Sequence, residues 1–424
     1  MSDNCSCGNR NKIDTGGTGS YSIRDSMGNV AGSNSSGNSM IVGTNDSSED
    51  VNILKDSDGF FMARALELAR LGLGRTSPNP VVGAVIVKDG EIVGEGYHQR
   101  AGNPHAEVHA LNQAGEKARG ATLYVTLEPC SHFGRTPPCA DAVIRAGLSR
   151  AVVAMVDPNP LVAGNGIARL KEAGIQVKVG VLEKEARKLN EVFIKFITTG
   201  MPFVVMKTAM TLDGKIAAHT GDSRWVTGPE ARGVVHQLRD RYDALLVGIG
   251  TVMADDPLLT TRLPDGNGRD PVRVVVDSRL RIPVAARVLH LSSTAPTVIA
   301  CTEQADPVKR AELEKMGVEV VVAPEQGGMV DLEWLLQELA RRGLTGVLVE
   351  GGSRINASLL ARGLIDKVMF FIAPKLIGGE SAPGPVGGEG VARMTEAVPL
   401  ERVKVKSVGV DILVTGYPAG KRGG

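Results

Sequence analysis

Apolar and polar positions change period repeatedly along this chain, and each change marks a different element. The spacing of Phe61, Ala65, Leu68 and Gly72 predicts one face of a helix over 60–71, with Asp58 as its N-cap and Gly72 and Gly74 as its stop. Two runs rich in β-branched residues, 81–88 and 91–96, meet at Asp89-Gly90 and predict a hairpin. A Pro78-Asn79-Pro80 turn introduces the first of them and projects Asn79 toward the strand mouth. Beyond the hairpin the pattern alternates: helix 105–114, strand 122–126, helix 138–146, strand 151–155, helix 167–173 and strand 176–179. Alternation of this kind predicts an α/β sandwich.

A helical stretch over 184–197 runs into Thr198-Thr199-Gly200-Met201-Pro202, where we place a domain boundary. The pattern then starts again. Strands are predicted at 203–209, 244–247, 272–276, 297–300, 318–322, 346–349 and 368–372, with helices at 229–242, 332–342 and 355–362 between them. The composition fits a second α/β domain, but strand order is not readable from it. A length of 424 residues agrees with two domains plus extras. The division expected is 1–55, a Ser/Gly/Asn-rich tail; 56–200 and 201–418, two domains; and 419–424, a short C-terminal tail.

Residues 1–55 hold almost no periodic apolar positions, so they could not bury enough surface to offset the entropy of ordering them, and disorder is expected there. Cys5 and Cys7 form a Cys-x-Cys pair in this tail without further ligands nearby. A formal net charge of +1 supplies no basic field to hold a phosphate backbone, which argues against a nucleic-acid partner. Five cysteines, an odd number, fit a reducing cytoplasm better than a disulfide framework. No charged start followed by an apolar stretch is present, and no run approaches the roughly 18 apolar residues that span a bilayer, so a soluble protein is expected.

The candidate chemistry lies in the first half. His105, Glu107, Cys130 and Cys139 stand in the order His-x-Glu … Pro-Cys-x8-Cys. An imidazole and two thiolates fill three of zinc's four tetrahedral positions, and water in the fourth loses its proton near pH 7. Glu107, two residues after His105, is the non-ligand proton shuttle that separates a reactive zinc deaminase site from a structural one. His109 would share the helical face of His105, as in His-Glu-x-x-His proteases, but Ala106 stands where that pattern needs Glu. His109 therefore reads as a packed or hydrogen-bonded neighbour. Helix N-termini near Cys130 and Cys139 favour thiolate.

Four segments of the first half resemble the bifunctional riboflavin-biosynthesis deaminase/reductase family: Pro78-Asn79-Pro80-Val81-Val82-Gly83, Gly94-Glu95-Gly96-Tyr97-His98, His105-Ala106-Glu107, and the stretch from Thr126-Leu127-Glu128-Pro129-Cys130 to Pro137-Pro138-Cys139. Asp157-Pro158-Asn159-Pro160 with Gly164 and Gly166 is similar to that family's loop beyond the metal site. In the second half Lys207-Thr208-Ala209, Thr211-Leu212-Asp213-Gly214-Lys215, Ser223-Arg224-Trp225, Gly250-Thr251 to Asp255-Asp256-Pro257, and Val349-Glu350-Gly351-Gly352 look like its reductase domain. The resemblance runs from about Asp58 to Tyr417; the N-terminal tail departs from it.

The resemblance implies a cytidine-deaminase-like α/β/α sandwich followed by a dihydrofolate-reductase-like α/β domain. It implies one zinc per chain, NADPH, and a pyrimidine ribose phosphate substrate. The 2-amino group of 2,5-diamino-6-ribosylamino-4(3H)-pyrimidinone 5′-phosphate would be hydrolysed off, and the ribosyl group then reduced to ribityl. Asn79 and His98 would hold the pyrimidine. Ala209, Trp225, Thr251, Asp255 and Ser278 match the family's cofactor contacts, and Gly352, Ser353, Arg354, Ile355, Asn356, Ala357 and Ser358 would receive cofactor phosphate at a helix start. Ser223, Arg239, Leu259, Arg262 and Glu350 match substrate contacts, the two arginines suiting a phosphate. A cytoplasmic homo-oligomer is expected.

Two other readings use the same residues. A nucleic-acid base deaminase shares the zinc chemistry but needs a basic groove, and a non-catalytic zinc-stabilised binding protein has no need of Glu107.

Overall fold

The computed structural model describes residues 57–132, 137–160 and 162–420. The tail expected over 1–55, with Cys5 and Cys7, lies outside them, as do residues 421–424.

The first periodic segment is helix α1, Ser57–Arg70. Asp58 is inside its first turn rather than capping it, and it is buried. Its carboxylate accepts bonds from Arg150 at 2.7 Å, Lys178 at 2.8 Å and the Tyr124 hydroxyl at 2.9 Å. The expected cap is thus an anchor: a charge taken out of water is held by partners from three strands beneath the helix. The hairpin strands are β1, Gly83–Lys88, and β2, Glu91–Tyr97, followed by α2, Ala106–Ala114, and β3, Thr122–Val125. Then come α3, Cys139–Arg145; β4, Arg150–Val153; α4, Asn165–Glu172; and β5, Gln176–Val179. The strand order is β2-β1-β3-β4-β5, antiparallel on either side of β1 and parallel from β3 onward. Met62, Ile86, Leu123, Met155 and Leu170 fill the core between sheet and helices.

Strand β1 begins two residues later than its apolar run. Val81 is held outside the ladder by the side chain of Asn190, which accepts its N–H at 2.9 Å and donates to its carbonyl at 3.0 Å. Asn190 also divides the helix expected over 184–197 into α5, Glu183–Leu189, and α6, Glu191–Thr199.

The second half builds a nine-stranded sheet. Its parallel strands are β6, Phe203–Thr211; β7, Ala244–Gly248; β8, Val272–Val276; β9, Thr297–Cys301; β10, Glu319–Val322; β13, Gly346–Val349; and β14, Lys367–Ala373. The short hairpin β11, Glu325–Gln326, and β12, Met329–Val330, lies apart from that sheet. Helices α7, Pro229–Arg241; α8, Ile249–Asp255; α9, Pro307–Lys315; α10, Leu332–Arg341; and α11, Ser353–Ala361 connect the strands. A hairpin of β15, Leu400–Val408, and β16, Asp411–Pro418, completes the order β10-β9-β8-β7-β13-β6-β14-β16-β15. That hairpin and the short α8 and α9 were not among the expected elements.

Helix α6 touches both halves. Ile194 packs on the first core and Val192 on the second, while Glu191 pairs with Lys367 at 2.7 Å and accepts from Tyr417 at 2.6 Å.

Candidate active sites

The first site forms where α2 and α3 begin. Gly96 lets α2 lie directly on β2, because a Cβ there would stand 2.4 Å from the Ala106 carbonyl oxygen. That close approach sets His105 at the helix N-terminus, where its carbonyl accepts from Val108 and His109. Cys139 opens α3, and its N–H donates to Cys130 Sγ at 3.3 Å. His105 Nδ1 lies 3.2 Å from Cys139 Sγ and 3.6 Å from Cys130 Sγ, and the three ligand atoms lie within 4.8 Å of one another. Tetrahedral zinc bonds to nitrogen and sulfur imply an N···S separation of roughly 3.6 Å, so the donor set and its spacing fit that metal.

Glu107 is buried beside this cluster, and its Oε2 has no partner among the described residues. Burial pushes its carboxyl up to about 7. The Cys130 thiol is held below its ordinary range, first by the Cys139 hydrogen bond and then by the His105 imidazole. An orphaned buried carboxylate oxygen next to soft metal donors is a group prepared to exchange a proton with something not made of protein. His109 lies outside the three-residue cluster, packed against the Gly96 backbone.

Asn79 and His98 come together at the same mouth. Asn79 Nδ2 is 3.1 Å from His98 Nε2, and His98 Nδ1 is 3.2 Å from the Pro104 carbonyl. A carbonyl can only accept, so His98 carries its proton on Nδ1 and accepts the Asn79 amide on Nε2. The His98 and His105 rings meet edge to face, with centroids 5.2 Å apart. A residue given no role above is Glu128, whose buried carboxylate accepts from the N–H groups of Asp157 at 3.1 Å, Gly164 at 3.0 Å and Ile167 at 3.1 Å. It ties the loop before α4 to the Pro129-Cys130 segment. Its place directly before Pro129 was the available signal. Residues 133–136 of the long motif lie outside the described ones.

The second site lies at the C-terminal ends of parallel strands, where open α/β sheets leave a crevice. Glu350 follows β13 and is mostly enclosed between Lys207 of β6 at 2.9 Å and Arg239 of α7 at 2.8 Å. Burial alone would raise the Glu350 carboxyl, but the Arg239 and Lys207 charges outweigh it and hold it well below the carboxylate range. Arg239 bonds Glu350 through Nε and Nη2 and the Thr260 carbonyl through Nη1, so its fork is committed to protein. Arg262 is exposed and donates to the Thr260 hydroxyl at 3.1 Å. Its N–H donates to His236 Nδ1 at 3.2 Å. Burial first, then the charges of Arg239 and Arg262, lower His236 to about 4. His236 was not singled out above; it lies three residues before Arg239 on one helical face.

Thr251 and Asp255 share a face of α8, and Ser223 Oγ donates to Asp255 at 2.9 Å. Gly352 caps α11 near Thr251, whose Oγ1 would be 3.9 Å from a Cβ at that position. In the run Gly352–Ser358, Ile355 packs on Gly248 and Asn356 is fully buried, donating to the Pro385 carbonyl at 2.8 Å. The groups such a segment offers a ligand are therefore main-chain N–H groups at the helix start. Trp225 is 64 % exposed, with the Arg232 guanidinium 4.7 Å from its ring centre. Ala209, on β6, is half-buried beside β14. Leu259 is buried with φ 56°. Ser278 is buried, its hydroxyl accepting the Val330 N–H at 3.0 Å, which places it in the fastening of β12 to β8.

Comparison with known proteins matches residues 55–155 to the cytidine and deoxycytidylate deaminase zinc-binding region, and residues 202–414 to the RibD C-terminal domain. The riboflavin biosynthesis protein RibD of Actinobacillus pleuropneumoniae is 47 % identical over 84 % of this chain and 93 % of its own. The chain belongs to the RibD family of riboflavin biosynthesis proteins. RibD of Aquifex aeolicus is 46 % identical over 85 % of this chain and 99 % of its own. Among solved structures, Acinetobacter baumannii RibD matches with a TM-score of 0.78 at 41 % identity, covering 86 % of this chain and 99 % of that one. A Thermotoga maritima diaminohydroxyphosphoribosylaminopyrimidine deaminase/5-amino-6-(5-phosphoribosylamino)uracil reductase matches with a TM-score of 0.76 at 41 % identity, over 85 % and 99 % of the two chains. The RibD-family fold thus carries a deaminase-like half and a reductase half, as the motif resemblance implied.

Proposed function

We propose that this RibD-family chain removes ammonia from 2,5-diamino-6-ribosylamino-4(3H)-pyrimidinone 5′-phosphate and then reduces the deaminated ribosyl compound with NADPH to its ribityl product. The observation that carries the reading is the His105–Cys130–Cys139 cluster with buried Glu107, on a chain whose other half matches the RibD C-terminal domain. Zinc held by those three side chains would lower the pKa of a coordinated water to near 7. Glu107 would move one proton of the attacking water to the ring nitrogen and the remaining hydroxyl proton to the departing amine, so that the C–N bond breaks and ammonia leaves, through its Oε2, which has no partner among the described residues. His98 fixes the Asn79 amide, and Asn79 orients the pyrimidine.

In the reductase half NADPH would supply hydride to the sugar C1′. The α11 N-terminus with Gly352 receives cofactor phosphate on backbone N–H groups, and exposed Trp225, with Thr251 and Asp255, lines the cofactor's path. Ser223, Leu259 and Arg262 face the substrate, Arg262 taking its phosphate, while Glu350 holds Lys207 and Arg239 in register. We place the division between the activities near Gly200, with 56–200 the deaminase and 201–418 the reductase. No helix among the described residues is long and apolar enough to cross a membrane. The odd count of five cysteines, two of them assigned to zinc, supports a reducing cytoplasm, and exposed Val403 and Val405 on β15 support self-association.

Anaerobic incubation with the pyrimidine phosphate and NADPH, following both ammonia and NADPH, tests the reading. Ammonia release with matching NADPH consumption is expected. Failure to release ammonia from a zinc-loaded preparation would reject it.

A further inference from the structure

The turn that carries Asn79 is fastened from two sides, and one side belongs to the other half of the chain. Within its own half, the Thr76 hydroxyl donates to the Asn79 carbonyl at 3.1 Å, and Asn190 grips Val81. From the reductase half, Asp243 Oδ2 accepts the Ser77 hydroxyl at 2.8 Å. The same oxygen accepts the N–H of Thr345 at 2.9 Å and of Gly346 at 3.2 Å, so it stands where β7 and β13 begin. Arg75 Nη2 donates to both carboxylate oxygens of Asp240, at 2.9 and 3.1 Å, and Asp240 Oδ1 also accepts the Arg269 N–H at 2.7 Å. Beside it Gly74, at φ +73°, lies so close to α7 that a Cβ would be 2.6 Å from the Asp240 carbonyl oxygen. A cleft lined by Asn79, Asn190, Phe193 and Tyr242 opens against the turn, so on that side hydrogen bonds rather than packed side chains set its position.

We propose that Asp240 and Asp243 of the reductase half are positioning residues for deamination, holding the Asn79 turn through Arg75 and Ser77. The geometry gives them this role because both act on residues within four positions of Asn79. Neither lies in the zinc cluster. The inference rests on Asn79 contacting the pyrimidine, as proposed above. It predicts an effect on substrate capture rather than on the proton transfers that Glu107 performs. Displacing a positioning group by about 1 Å can cost on the order of a hundredfold, and a turn still held by Thr76 and Asn190 should shift by less than that.

The test uses the full chain with Arg75→Ala, Asp240→Ala, the double variant, Ser77→Ala and Asn79→Ala. Ammonia release is measured against concentration of the pyrimidine phosphate, alongside zinc content and melting temperature. Asp240→Ala and Arg75→Ala should each raise KM for deamination about tenfold with kcat within about twofold and zinc unchanged, and the double variant should be no worse than Asp240→Ala, which removes both the pair with Arg75 and the acceptor of the Arg269 N–H. Ser77→Ala removes a single hydroxyl without touching the reductase strands and should raise KM in the same direction, which keeps the test open if Asp240→Ala folds poorly. Additive effects of the Arg75 and Asp240 substitutions, or an unchanged KM in both Asp240→Ala and Ser77→Ala, would overturn the proposal. An Asn79→Ala variant with unchanged KM would remove the contact beneath it. Raised KM in Asn79→Ala alone would keep that contact and reject the link between the halves.

Discussion

Three donor atoms would hold the metal in this site, so each would carry a large share of its affinity. Cys139→Ser replaces a buried thiol, able to serve zinc as a thiolate, by a hydroxyl that ionises far less readily, and metal analysis of the purified variant should find zinc far below one per chain. Full occupancy would mean that another residue completes the site. Asp58 makes a second residue-scale case, of stability rather than function. The Arg150 hydrogen bond holds its carboxyl well below the ordinary range against the opposing effect of burial. A carboxyl depressed by folding stabilises the native state above its unfolded pKa, near 3.9, and that stabilisation is lost as pH falls through the folded pKa. Asp58→Asn should therefore cost about 2 kcal/mol at pH 7, less than for a fully buried pair because Arg150 and Lys178 are partly in water. Melting curves should show the deficit shrinking only below about pH 4. A deficit that stayed constant down to pH 2 would mean that charge is not its cause.

At the scale of elements, the contact of α2 with β2 decides where His105 stands. Gly96→Ala would place a methyl 2.4 Å from the Ala106 carbonyl oxygen and 2.6 Å from His109 Cβ, neither the free end of a flexible side chain. It should lower stability by about 2 kcal/mol or more, and deaminase activity with it, while the reductase sheet keeps its own melting transition. Calorimetry resolving both transitions would check this; an unshifted first transition would show that α2 can move aside freely. The same contact explains what was readable in advance. Strands β7 and β13 are buried throughout and announce themselves as continuous apolar runs. Strand β15 has one buried residue in nine, so no core face imposed a pattern on it. Helix α8 starts at Ile249-Gly250, where a glycine reads as loop. Asn190 looked like one more helix residue, because only the folded chain shows Val81 as its partner. The zinc donors were legible because they sit in local motifs. The bonding of Glu350 to Lys207 and Arg239 was not, because it joins three distant segments through a strand order that composition does not contain.

Across the whole molecule, the two chemistries use different residues while sharing an interface. Glu107 belongs to the zinc half; Lys207 and Glu350 belong to the nine-stranded half, after the helix that ends at Thr199. Removing a proton shuttle commonly costs about two to four orders of magnitude. Glu107→Ala should therefore release almost no ammonia from the diaminopyrimidine phosphate and consume almost no NADPH in its presence, because the reductase would be left without its substrate. Given the already deaminated uracil compound, the same variant should consume NADPH at close to the wild-type rate, since no contact of Glu107 reaches the second site. NADPH consumption with the undeaminated compound would reverse the proposed order of steps. Loss of reduction with both compounds would show instead that the interface at Arg75, Ser77, Asp240 and Asp243 transmits the defect, and that the two sites cannot be separated by mutation.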